Sequence, residues 1–102
     1  PFPANFEDFA PLTGTIVNVS ATTTNAILTL ASTLATLTVN LPAASVAING
    51  QVVEIFFQAF GVTALTVQST GATIRGVATS SGANSTMSFK FRLSNNTWYK
   101  TV

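Results

Sequence analysis

Glu7, Asp8 and Glu54 are the whole acidic complement of this 102-residue sequence, which contains neither His nor Cys. Glycosidic hydrolysis needs two carboxyl groups roughly 5–10 Å apart across the scissile bond. Glu7 and Asp8 are adjacent, so in extended chain they project to opposite sides. Glu54 lies within an apolar run, where a carboxylate needs a partner, and Arg75, Lys90 or Arg92 would supply one as a structural ion pair. Without His there is no Ser-His or Cys-His nucleophile, and without Cys no thiolate, disulfide or zinc–thiolate site. No catalytic residue, metal ligand or cofactor is assigned. The reading is non-enzymatic.

Binding chemistry is the remaining class. Lys90, Arg92 and Lys100, with Trp98 and Tyr99 nearby, form the one basic and aromatic run. Counterion release from so few cations gives little affinity at physiological salt, so no nucleic-acid partner is expected. Alternating cations on the wet face of a hairpin also keep it from aggregating. Trp98 and Tyr99 alternate, so one faces a core or neighbour and the other faces away. Core or subunit packing is the expected fate of Trp98. The loops around Asn84 and Asn95-Asn96 present small hydroxyls and amides, which suit weak hydrogen-bonded recognition of sugars. They equally suit an ordinary solvated loop. Glycosylation-like tripeptides begin at Asn18, Asn84 and Asn95, as chance allows in a chain this rich in Asn, Ser and Thr.

The elements that must carry these residues are strands. Apolar residues alternate with period two between turn residues along most of the chain. Strands are expected at 15–19, 26–30, 35–41, 51–60, 63–68, 73–77, 87–93 and 97–102. Ile27, Leu30, Leu34, Leu37 and Leu41 also fit a helical seam, but many Thr and no flanking charge argue for strands. The run Gln51–Phe60 is apolar on both faces, which demands cover on both sides. In the last hairpin Met87, Phe89, Phe91 and Leu93 are expected inside, with Ser88, Lys90, Arg92 and Ser94 outside. Asn49-Gly50 and Asn95-Asn96 are turn signals because both residue types tolerate positive φ.

Composition sets the class. One domain fits this length. Residues 1–13, with three Pro and the aromatics Phe2, Phe6 and Phe9, read as an extended lead-in, and 14–102 as the body. Charged residues are 7% of the chain, where an ordinary soluble domain has about 25%. Mean hydropathy is +0.48, so the chain has ample apolar area to fold. No apolar run approaches the ~20 residues of a membrane helix, so no membrane insertion is expected. The expected fold is all-β, an antiparallel sandwich or jelly roll, with a partner subunit hiding surface that lacks charge.

Several short motifs, taken in order, resemble the C-terminal domains of bacteriophage tail fibres and related virion proteins. They are Leu41-Pro42, Asn49-Gly50-Gln51-Val52-Val53-Glu54-Ile55, Val62-Thr63-Ala64-Leu65-Thr66-Val67, Ile74-Arg75-Gly76, Met87-Ser88-Phe89-Lys90-Phe91 and Asn96-Thr97-Trp98-Tyr99. The resemblance spans residues 36–99. It implies a homotrimeric head at the tip of a fibre, outside the cell on the virion, following a shaft. Receptor-binding loops at its distal end would meet a bacterial surface polysaccharide or outer-membrane protein. Asn84, Asn95, Asn96 and Tyr99 are the candidate receptor-binding residues. The alternative is a structural virion protein, a capsid-decorating knob or baseplate adaptor, without receptor binding. The lack of His and of clustered acids departs from those fibre tips that carry a metal.

Overall fold

A computed structural model of the chain describes residues 6–76 and 78–102. Among them nine strands form: β1 (Phe6–Phe9), β2 (Ile16–Asn18), β3 (Asn25–Thr29), β4 (Leu34–Asn40), β5 (Val52–Gln58), β6 (Val62–Gln68), β7 (Thr73–Arg75), β8 (Ser85–Arg92) and β9 (Thr97–Lys100). A 3-10 turn, Leu93–Asn95, joins β8 to β9. The described residues contain no α-helix, and the fold is all-β. The helical seam of residues 27–41 dissolves into β3 and β4, where Leu28, Leu34, Leu37 and Val39 are buried, as are Leu30 and Leu41 just beyond the strand ends. β-Branched Thr side chains favour that pleated surface over a helix. Phe2 of the expected lead-in and Val77 of the expected strand 73–77 lie outside the described residues.

The expectation of an antiparallel fold needs correction. The sheets are mixed: β1-β3-β5-β8-β9-β7 in one and β2-β4-β6 in the other. Pairs β1/β3, β3/β5, β2/β4, β4/β6 and β7/β9 are parallel, while β5/β8 and β8/β9 are antiparallel. From β1 to β6 the chain alternates sheets strand by strand, so each sheet receives every second strand in the same direction. Parallel neighbours need a long crossover. Here that crossover is a strand of the opposite sheet. β8 and β9 then close the coil against β5.

The core fills the space between the inner faces. Registered rows run Val17-Val39-Val67 in the small sheet and Ala26-Ile55-Met87 in the large one, all buried. Burying a Val, Leu, Ile or Phe side chain contributes roughly 1.5–3 kcal/mol, which is why these rows hold the coil together. Glu7 is tied in by its Oε1, which accepts hydrogen bonds from Ser20 N at 3.1 Å and Thr23 Oγ1 at 2.8 Å. Asp8 is exposed on the other face of β1. On β5, Val53, Ile55 and Phe57 are buried, Val52 and Phe56 are half-buried, and Phe60 falls beyond the strand and is exposed. The outer face of β5 is therefore partly open in the single chain.

Candidate functional site

The last hairpin and the short strand beside it assemble a basic face. β8 and β9 pair Lys90 with Tyr99, and β9 and β7 pair Tyr99 with Arg75. Opposed residues point to the same side of a sheet with Cβ atoms about 4.5–5.5 Å apart. Lys90, Tyr99 and Arg75 thus stand in one row on the outer face. Arg92, two residues beyond Lys90 on β8, stands on the same side in the next row, opposite the buried Thr97. Three of the chain's four cations surround one phenol. The fourth, Lys100, follows Tyr99 in the strand and faces the other way. The basic and aromatic run read from the sequence is thereby redrawn: Lys100 leaves and Arg75 joins.

Polar contacts fix the phenol. Asn95 folds back from the 3-10 turn, and its Nδ2 donates to the Tyr99 hydroxyl oxygen at 2.9 Å. That donation favours the phenolate and holds the Tyr99 pKa below its ordinary 10.0; desolvation opposes this, and the nearby Arg92 and Arg75 guanidiniums lower it further. Asn96 supplies the left-handed backbone that ends the turn (φ 48°), a conformation Asn tolerates better than most residues. Its carbonyl accepts from Thr73 N at 2.9 Å, which anchors β7, and so Arg75, to the turn.

The loop before β5 walls the other side. Asn49 Oδ1 accepts from Leu93 N at 3.0 Å, and Gly50 N donates to Phe91 O at 2.8 Å. Gly50 has φ +82°, which is why glycine serves this turn. Between loop and hairpin lies an open groove of about 490 Å³, lined by Asn49, Gly50, Lys90, Phe91, Arg92, Tyr99 and Thr101. The lining contains no carboxylate. Glu54 is exposed one strand away on the same face, in register with Ser88, so water solvates it and no ion pair is needed.

Of the four sequence candidates, Asn95, Asn96 and Tyr99 come together here. Asn84 does not. It precedes β8, whose eight residues put it roughly 25 Å from the Asn95–Asn96 turn. Its side chain is already used, Oδ1 accepting from Ala59 N at 2.9 Å. Trp98, on the inner side of β9, is fully buried, its ring 5.1 Å from that of Phe91, as expected. Leu93, expected inside, is 51% exposed, because the 3-10 turn ends the alternation at Arg92. Arg75 was missed as a member of this site; a lone Arg in a three-residue strand carries no sequence signal of which strand it will join. Comparison with known proteins finds no matching family, no matching curated protein and no matching solved structure.

Proposed function

We propose that this chain is the non-enzymatic receptor-binding head of a bacteriophage tail fibre, a trimeric sandwich recognising a glycan or outer-membrane protein on the bacterial surface. The observation that carries this reading is the Tyr99 face. An aromatic ring that can stack on a sugar, ringed by Arg75, Lys90 and Arg92, is held on paired strands rather than on a loose loop. The carboxylates give no support to hydrolysis: Glu7 is engaged by Ser20 and Thr23, and Asp8 lies on the opposite face of β1.

Trimerisation is supported by where apolar side chains are left in water. Phe6, Leu12 and Ile16, on β1, β2 and the link between them, are 66%, 71% and 56% exposed. Gathering copies would cover such a surface, and three modest sites on one fibre would gain affinity through effective concentration. The test is twofold. The 102-residue chain should run as a particle of three times 10.6 kDa in light scattering, and it should block adsorption of phage to cells. A 10.6 kDa particle would remove the trimer. Binding only to capsid or baseplate protein, with no effect on adsorption, would replace the receptor reading with the structural one.

A further inference from the structure

We infer that the groove beside Tyr99 is selective for an acidic saccharide, its ring stacked on Tyr99 and its acid group held by Arg92 with Lys90 beside it. This rests on the receptor-binding reading and narrows it to one ligand chemistry. Three observations converge. The row Lys90-Tyr99-Arg75 concentrates positive charge around an aromatic face, whereas the whole chain carries a net charge of only +1. The groove wall is free of carboxylates, so no group of the lining itself repels an anion. In the remaining wall Asn49 Oδ1 and Gly50 N are bonded to the hairpin, which leaves Asn49 Nδ2 as a donor and the Thr101 hydroxyl oxygen as an acceptor for sugar hydroxyls.

Each group has its part. A guanidinium offers paired N–H donors that match a carboxylate or phosphate in two bonds. Lys90, as a point charge, adds attraction without geometry, and Arg75, on the far side of Tyr99 and outside the groove lining, adds only to the field. Asn95 fixes the Tyr99 hydroxyl from the side of the turn. A nucleic acid fits less well: one ring and three cations give too little stacking and too few phosphate contacts for affinity at physiological salt. Glu54, diagonal to Lys90 across β5 and β8, partly offsets the field, so its removal should strengthen an anion's binding.

The experiment uses the full chain with trigalacturonate, maltotriose, inorganic phosphate and oligothymidylate, followed by calorimetry and by absorbance titration of the tyrosine. Trigalacturonate should bind at least tenfold more tightly than maltotriose. Arg92→Gln and Lys90→Gln should each weaken it about three- to tenfold, Tyr99→Ala should weaken both sugars, and Glu54→Gln should tighten the acid. In the wild-type chain, bound trigalacturonate should raise the pKa of Tyr99, because its charge opposes the guanidiniums that lower it. That readout needs no variant to fold. Equal binding of trigalacturonate and maltotriose would overturn acid selectivity while leaving receptor recognition standing. Phosphate binding as tightly as trigalacturonate would reduce the site to an anion hole and overturn the saccharide. Tighter binding of oligothymidylate would overturn the proposal in favour of nucleic acid. Blocked phage adsorption with no sugar binding would sink this inference alone, and no effect on adsorption would sink the reading beneath it.

Discussion

Trp98 donates its indole N–H to the carbonyl oxygen of Pro42 at 3.3 Å, joining the final strand to the segment that follows β4. The same oxygen accepts from Ser69 Oγ at 2.7 Å, after β6. One carbonyl thus ties the closing hairpin to the ends of two strands of the other sheet. Burial of the indole makes the bond matter, because a buried donor without an acceptor is expensive.

Removing that anchor has a graded outcome. Trp98→Ala should cost about 3–5 kcal/mol in urea unfolding, from lost burial and the cavity left behind. Such a loss is comparable with the whole stability of many domains, about 5–15 kcal/mol. Trp98→Phe combined with Ser69→Ala should cost about 1 kcal/mol more than the two single changes added, because only the pair leaves the Pro42 oxygen unsatisfied. Strict additivity would show that the oxygen finds water.

Glu7 is the staple between β1 and the turn before β3. Glu7→Ala should destabilise by about 1–2 kcal/mol, since Ser20 N and the buried Thr23 hydroxyl lose a charged acceptor. Glu7→Gln keeps an oxygen in place and should recover much of the loss. Hydrogen exchange at Ser20 would report the difference directly, and equal protection in both variants would refute the staple.

Gly61 is required by space. A Cβ there would stand 2.1 Å from the Ser81 carbonyl oxygen, in the segment that covers the edge of β6. Gly61→Ala should therefore cost about 1–3 kcal/mol as that backbone is pushed away. Gly82→Ala, with open space around it, should be close to neutral. Exchange at Val62 and Leu65, whose N–H groups donate to Ser81 O and Thr79 O, should rise only in the first variant.

Alkaline titration reads the basic face without any ligand. The phenol of Tyr99 should ionise below 10.0, and Asn95→Ala, which removes the largest cause, should raise its midpoint. A pKa lowered in the native state adds stability as pH rises through that native value, in full above the unfolded value, and loses it as pH falls back. Relative to Tyr99→Phe, the wild-type chain should therefore gain additional stability at alkaline pH, on top of a constant difference at lower pH from the Asn95 hydrogen bond. An unchanged midpoint in the Asn95 variant would contradict the hydrogen bond.

The sequence by itself determined where most of the strands lie, β1 within the expected lead-in being the exception, and for most of them which residues turn inward. Met87, Phe89 and Phe91 alternate with polar neighbours and are buried as alternation dictates, although Ser88, expected outside, is buried too. Alternation also separated Trp98 from Tyr99. Periodicity says nothing about a strand's neighbour or its direction, because the side-chain repeat is the same in parallel and antiparallel sheets. Only the tertiary structure decided that β1 to β6 wind alternately between two sheets, making parallel pairs of strands separated in sequence by a third. That winding sets β7 beside β9, bringing Arg75 to Tyr99, and keeps Asn84 at the far end of β8. The site is a product of pairing, a long-range choice made by the packing of the shared core.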